Sequence, residues 1–216
     1  MNKKSAFKRW ADFVKKNEIH GVPSTFRFIA RYRLATKFIG ISADGYREKT
    51  LLGYDALMKV FLAYTAYESF YEAVAENKSI SNEHIKVDFK FDKHNHPFDD
   101  FEIATKIWKN KKLLQILIDY ADVSERSSIQ MEALMSFYLG VIDGKHLHAV
   151  TRQVRHLVAH GNLTAYGAES IKKENTDALA ELSMLVLDET YKLFDLYLTE
   201  IESQNSSQKL KVEMFA

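Results

Sequence analysis

Residues that break helices are scarce in this chain. Its 216 residues include only two prolines and eight glycines, while apolar residues recur at helical spacing along almost the whole length. Sheets and sandwiches need more turn residues than this composition provides. A chain of this length can bury one good hydrophobic core. The sequence therefore predicts an all-α protein, a helical bundle with an appended segment and not two full domains.

Helical periodicity divides the chain into seven predicted helices. The fourth of them is either one helix or two helices with a break near Asn110. Residues 85–91 alternate apolar and charged side chains, which predicts one short strand or an extended segment. We interpret residues 1–49 as a basic helical extension packed on the core, 50–202 as the bundle and 203–216 as a polar tail. The predicted helices span residues 5–16, 24–39, 50–76, 99–121, 124–142, 145–160 and 175–202.

Composition excludes several classes of protein. Cysteine is absent, which excludes disulfide frameworks, thiolate zinc sites and cysteine nucleophiles and fits a reducing compartment. Charged residues follow the basic N-terminus before any apolar stretch of a signal peptide develops. No apolar run approaches the roughly 18 residues of a membrane span. These features predict a cytoplasmic protein with no membrane partner.

The net charge of +1 conceals an asymmetry. Residues 1–50 contain twelve Lys/Arg and four Asp/Glu, a net of +8, whereas the remainder carries a net of −7. A basic segment on an acidic body indicates contact with a polyanion or self-association, although two solvated charged helices would give the same numbers. Arg27 and Arg31 lie one turn apart, so we expect them to share a face and to contact single-stranded nucleic acid, while the aromatic residues beside them pack in the core.

The predicted helix at residues 145–160 has an apolar side and a basic side. No acidic residue occurs between Lys145 and Ala168, so the basic side suits an anionic ligand. At 100° per residue, the apolar residues fall within about a third of the circumference. They are Leu147, Val150, Val154, Leu157 and Val158. The opposite side carries a set that we call the Arg/His band: His148, Arg152, Arg155, His156 and His160.

Arg155 and His160 are the members of the Arg/His band with the clearest chemistry. Arginine holds a phosphate with a planar fork of donors, and histidine exchanges a proton near neutral pH. On a straight helix the two side chains are about 140° apart. They would therefore meet on one phosphate if the helix ends at His160, or if two copies of the helix meet across a dimer axis. At a helix C-terminus the dipole favours the charged imidazolium, which suits a general acid.

Arg155-His156 followed by His160-Gly161, with helices before and a long closing helix after, resembles the motif of the HEPN superfamily. The resemblance covers about residues 50–202. HEPN proteins are small helical bundles with an arginine, four to six residues and then a histidine, and the residue after the arginine is usually polar, as His156 is. Residues 64–70 also resemble the early core helix of some HEPN groups, in which an acidic residue can point toward the motif. Here that residue is Glu68.

The resemblance implies a homodimeric, metal-independent endoribonuclease that cleaves single-stranded RNA without a cofactor. In such an enzyme the neighbouring 2′-hydroxyl attacks the phosphate, a histidine moves the proton, and Arg155 stabilises charge on the phosphorane. A cognate antitoxin or regulatory protein is a further partner that it implies. The toxin subgroup regulated by nucleotide transfer, however, carries a tyrosine where this chain has Asn162. The implied catalytic residues are Arg155, His160 and His156, and the implied substrate-binding residues are Arg152, His148, Asn162 and Glu68.

Two other functions stay open at this point. Some HEPN members are catalytically inactive and bind RNA or a protein partner, and the Arg/His band would serve either role. A plain helical interaction protein with an incidental motif is the third interpretation.

His156 and His160 have the i, i+4 spacing of a metal-binding pair, but no Glu follows His156 and no obvious third ligand stands nearby. We therefore predict no metal site.

Overall fold

The structure is a computed structural model, and it describes residues 5–16, 23–79, 98–124, 128–164 and 173–215. Every regular element in these ranges is an α-helix, which confirms the predicted all-α class. None of these helices is both long and apolar enough to cross a membrane. The helices are α1 (Ala6–Lys16), α2 (Pro23–Lys37), α3 (Glu48–Ser79), α4 (Phe101–Trp108), α5 (Lys111–Ser124), α6 (Ser128–Tyr138), α7 (His146–Ala159) and α8 (Lys173–Phe215).

The chain breaks between α4 and α5 at Asn110, which was one of the two predicted alternatives. The side-chain oxygen of Asn110 accepts a hydrogen bond from the backbone N–H of Leu113 at 3.2 Å, in buried surroundings. Asp100 accepts in the same way from Ile103 at 2.9 Å and caps the start of α4. Each cap satisfies a backbone donor that has no partner within its own helix.

The predicted helix over residues 124–142 is wrong at both ends. Ser124, expected to cap this helix, is the last residue of α5, and α6 begins at Ser128. The helix ends at Tyr138 because Gly140 turns the chain with a φ of +107°. The turn at this glycine therefore ends the helix, although the apolar residues that follow it continue the helical pattern.

The end predicted for the last helix is also wrong. α8 continues past Glu202 to Phe215. The apolar periodicity fades over this stretch, but no glycine or proline interrupts it, so nothing in its composition stops a helix. The short strand predicted at residues 85–91 lies outside the described residues.

α7 lies in the middle of the main hydrophobic core and packs against α3, α5 and α6. Its predicted apolar side is confirmed: Val158 is partly buried, and the other apolar residues predicted there are fully buried. Burial also extends around the helix to Thr151 and Gln153, which are inaccessible to solvent. α7 is thus enclosed over more of its circumference than the sequence predicted, and this fixes the position of the Arg/His band.

A second core joins α1 and α2 to α3 and α8, and it is mainly aromatic. Phe194 of α8 is at its centre, with its ring centroid 5.0 Å from that of Phe28 and 5.5 Å from that of Phe7. Arg9 of α1 adds an ion pair to Asp195 at 2.6 Å. The basic N-terminal helices therefore pack directly on the helix that closes the bundle.

Candidate functional site

The C-terminal end of α7 stops within the predicted motif. α7 ends at Ala159, and the backbone N–H of Asn162 then donates to the carbonyl of Leu157 at 2.9 Å. Gly161 makes this turn possible with a φ of +70°, a conformation that glycine adopts at no steric cost. The chain therefore leaves the helix directly after His160, which projects from its exposed last turn.

His156 and His160 form a pair of rings at this helix end. Their ring centroids are 4.4 Å apart with an interplanar angle of 51°. His160 is exposed and His156 is partly buried. In the part of the chain that the structure describes, no three His, Asp or Glu side chains form a group that could hold a metal ion. The pair thus presents two proton-exchanging groups at one surface position.

Arg155 contacts Glu68 of α3. Its Nε lies 2.9 Å from Oε2 of Glu68, and about a third of each side chain is exposed. Nε is itself buried and lacks an acceptor in good hydrogen-bonding alignment, so the contact is best described as an ion pair. Glu68 therefore holds the guanidinium at its Nε, and the partly exposed Arg155 side chain lines a cleft beside this ion pair.

Burial raises the pKa of the Glu68 carboxyl, and the charge of Arg155 opposes that rise. A carboxylate in such surroundings has lost part of its hydration, so its interaction with a cation is stronger than at an open surface. Removing Arg155 would leave Glu68 with less compensation for its burial. This interdependence favours a fixed geometry at the Arg155 end of the band.

A cleft of about 520 Å³ opens between α3, α6 and α7 beside this ion pair. We call it the Tyr/Arg cleft. It runs along α7 from Arg155 toward Lys145, where the helix begins. It combines aromatic, cationic and acidic side chains within one open depression. Its walls include Tyr64, Glu68, Tyr71 and Glu72 of α3, Ile129 of α6, and Lys145, His148, Arg152 and Arg155 on the α7 side.

The helical wheel placed His148 on an open surface, as part of the Arg/His band. In the structure His148 is partly buried and lies among aromatic rings. The hydroxyl of Tyr64 lies 3.1 Å from its Nε2, and the ring of Phe98 stacks against it at 5.8 Å. Burial raises the pKa of Tyr64, which keeps its hydroxyl protonated and able to donate to an imidazole nitrogen. The physical reason is that α3 packs along the polar side of α7, and its tyrosines cover that end of the band.

The structure divides the predicted site residues into two groups. Glu68, His148, Arg152 and Arg155 all line the Tyr/Arg cleft. The His156–His160 pair is not part of the cleft wall and lies beyond it at the end of α7. The exposed Asn162 follows in the turn. Arg155 and His160 of one protomer therefore do not share the cleft.

Arg27 and Arg31 of α2 are directed at carboxylates of α3. Arg27 lies 3.8 Å from Glu76, and Arg31 lies 3.9 Å from Glu72 and donates to the hydroxyl of Ser69 at 2.5 Å. We call Glu68, Glu72 and Glu76 the α3 carboxylate row, because their i, i+4 spacing places them on one face. The row contacts arginines of both α2 and α7.

Sequence reasoning did not identify Tyr64, Tyr71 or Glu72 as site residues. The spacing of the α3 carboxylate row is visible in the sequence, but a glutamate row on a helix usually faces solvent. Which helices it meets depends on packing between segments distant along the chain.

Comparison with models of known protein families, with curated proteins and with solved structures finds no match for this chain.

Proposed function

We propose that this protein is a metal-independent endoribonuclease of the HEPN type that cleaves single-stranded RNA. Arg155 and His160 would act in a site completed by a second copy of the chain. The observation that carries the proposal is the ion pair of Arg155 with Glu68 at the wall of the Tyr/Arg cleft, with the exposed His160 directly after the end of the same helix.

Arg155 supplies the electrostatic part of the reaction. Its terminal nitrogens donate to the non-bridging oxygens of the scissile phosphate, whose negative charge grows as the phosphorane forms. Glu68 acts as a positioning residue, because it holds Nε and restricts the rotamers of a long side chain. A guanidinium fixed in advance loses less entropy when the phosphate binds.

The histidine pair supplies proton transfer. A histidine removes the proton of the 2′-hydroxyl, the 2′-oxygen bonds to phosphorus, and the bond from phosphorus to the 5′-oxygen breaks. A protonated histidine gives its proton to that leaving oxygen, so the products are a 2′,3′-cyclic phosphate and a 5′-hydroxyl. His160 is the exposed member of the pair and the better placed to reach an RNA strand.

A second copy resolves the separation of Arg155 from His160. On a continuous helix the two side chains would be about 140° apart; here His160 follows the last residue of α7 and lies outside the Tyr/Arg cleft. In a symmetric dimer each site would combine Arg155 of one protomer with His160 of the other. A cognate antitoxin or regulatory protein that covers this surface would repress the enzyme.

RNA binding without cleavage is the second candidate function, and the α3 carboxylate row favours it. The row contacts Arg27, Arg31 and Arg155 and so offsets much of the positive charge near the cleft. A site with this balance would hold RNA weakly, and its affinity would still fall as the salt concentration rises.

We expect the purified protein to cleave single-stranded RNA in the presence of a chelator. Arg155→Ala and His160→Ala should each reduce the rate by about 100-fold or more, as for loss of a transition-state donor or a general acid. The exposed Arg47, at the start of α3, provides a matched control, since Arg47→Ala should cleave at the wild-type rate. The rate is read from a labelled RNA under single-turnover conditions. Unchanged cleavage in both site variants would overturn the catalytic assignment.

Mixing the two inactive variants tests the composite site. A heterodimer of Arg155→Ala and His160→Ala chains keeps one intact site, so an exchanged mixture should recover about a quarter of the wild-type rate. No recovery, despite exchange of subunits, would contradict the shared site. A wild-type protein that binds RNA in a salt-dependent manner but never cleaves it would establish the binding function instead.

A further inference from the structure

The Tyr/Arg cleft extends well beyond the proposed cleavage site. From Arg155 to Lys145 it follows ten residues of chain along α7, which corresponds to about 15 Å of helix. Its volume of about 520 Å³ falls in the range of roughly 300–1,000 Å³ that is typical of clefts for small ligands. An RNA strand bound at Arg155 would therefore have room to place a neighbouring nucleotide here.

One wall of the cleft presents a fixed aromatic ring. Tyr71 is partly exposed, and its hydroxyl accepts a hydrogen bond from that of Tyr67 at 2.7 Å. The two rings meet edge to face with centroids 4.8 Å apart, so Tyr67 holds Tyr71 in place from the core side. An aromatic ring held in this way offers a surface on which an unpaired base can stack.

A different helix contributes to the cleft an apolar side chain that is largely exposed. Ile129 of α6 is 69% exposed although it lines the cleft. An isolated exposed isoleucine is common, but this one lines the same cleft as the ring of Tyr71. A base inserted between Tyr71 and Ile129 would remove apolar surface from water on both of its faces.

Glu72 gives the cleft a hydrogen-bond acceptor that a phosphate cannot use. Its side chain is 61% exposed, and its ion pair with Arg31 is long at 3.9 Å. A carboxylate repels phosphate oxygens but accepts two N–H groups side by side. Among the RNA bases, guanine presents such a pair through its N1–H and its exocyclic amino group. Lys145 lines the far end of the cleft and is 65% exposed, and its Nζ is paired with Asp143 at 2.6 Å, so a flanking phosphate would share this ammonium with that carboxylate.

We propose that the Tyr/Arg cleft is a base-binding pocket that takes one unpaired guanine of single-stranded RNA. The base stacks between Tyr71 and Ile129, and Glu72 accepts the hydrogen bonds of its Watson–Crick edge. This inference rests on the proposed function, because it assigns the cleft to the nucleotide next to the cleaved phosphate. The pocket would give the enzyme a preference for one base, whereas the cleavage chemistry of Arg155 and His160 does not depend on the RNA sequence.

The test measures binding apart from cleavage. Fluorescently labelled 2′-O-methyl oligonucleotides, which cannot be cleaved, carry a single guanine, inosine or adenine within a uridine run. Wild-type protein should bind the guanine oligonucleotide roughly tenfold tighter than the adenine one, as for a bidentate base contact. Inosine lacks the exocyclic amino group and should fall between them. Fluorescence anisotropy at fixed salt gives the affinities.

Two variants assign the preference to the cleft. Glu72→Gln should abolish the guanine preference, whereas Glu76→Gln should keep it, because Glu76 sits one turn further along α3 with a similarly long ion pair. Ile129→Ala should weaken binding of all three oligonucleotides alike, and it should fold normally because Ile129 is exposed. Equal affinities for guanine and adenine, or a preference that survives Glu72→Gln, would overturn the pocket.

The cleavage assay separates this failure from failure of the proposed function. Cleavage by wild-type protein without a guanine preference in binding would keep the endoribonuclease and reject the pocket. A guanine preference that depends on Glu72, in a protein that does not cleave RNA, would keep the pocket and reject the endoribonuclease. Absence of RNA binding would reject both.

Discussion

Phe194→Ala should lower the free energy of unfolding by about 3–5 kcal/mol, the range for removing a buried aromatic side chain. Phe194 is fully buried at the centre of the aromatic core. Its ring contacts Phe7 of α1, Phe28 of α2 and Phe70 of α3 at centroid distances between 5.0 and 6.3 Å. The cavity would therefore open where four helices meet, and the loss should exceed that of an aliphatic residue at the edge.

Urea denaturation followed by circular dichroism measures this effect. Leu196→Ala is the matched control, because Leu196 lies two residues away on α8 and is 60% exposed. Its denaturation midpoint should stay close to the wild-type value. Hydrogen exchange should also show that α1 and α2 lose protection in Phe194→Ala before the main core does. A midpoint for Phe194→Ala as close to wild type as that of the control would contradict the central role of this ring.

Gly144→Ala should destabilise the protein by about 3 kcal/mol, the upper part of the usual range for overpacking. Gly144 is buried in the turn before α7. A Cβ at this position would overlap the backbone nitrogen of Asp100 and lie 2.8 Å from the carbonyl carbon of Asp99. Backbone atoms cannot rotate away as a side chain can, so the start of α7 would have to separate from the start of α4.

The same displacement should reach the Tyr/Arg cleft, because Lys145 and His148 follow directly after this turn. We therefore expect Gly144→Ala to weaken RNA binding as well as stability. Gly45→Asn is the control: Gly45 has a φ of +81° but no neighbouring atom within 4 Å of a Cβ, and asparagine tolerates that conformation. Thermal unfolding of both variants gives the comparison. Equal small shifts in melting temperature would show that the close approach at Gly144 carries no strain.

The parts of the fold that follow from local periodicity were predictable from the sequence. The buried side of α7 could be predicted from the spacing of Leu147, Val150 and Val154, and a break near Asn110 was one of two alternatives that the sequence left open. Helix ends were less predictable, because they depend on turn geometry such as that of Gly140 or on the absence of a stop, as after Glu202. These are properties of a few bonds that averaged periodicity does not capture.

The candidate site was predictable only in part, for a different reason. The Arg/His band follows from a helical wheel, but the wheel does not say what packs against each part of it. His148 is recessed because α3 brings Tyr64 to its ring nitrogen. Glu68 was expected near the motif from resemblance alone, and its 2.9 Å approach to Arg155 depends on how two distant helices cross. Contacts of this kind are fixed by tertiary packing and have no local signature.

The arrangement of α2, α3 and α7 assigns an electrostatic role to two arginines of the basic N-terminal helices. Arg27 and Arg31 face Glu76 and Glu72, the outer members of the row whose inner member holds Arg155. The two arginines act as counterions. Without them, the uncompensated charges of the two carboxylates would make the electrostatic potential near the cleft more negative. Two of the basic residues in the first fifty thus offset the charge of two carboxylates on the helix whose Glu68 holds Arg155.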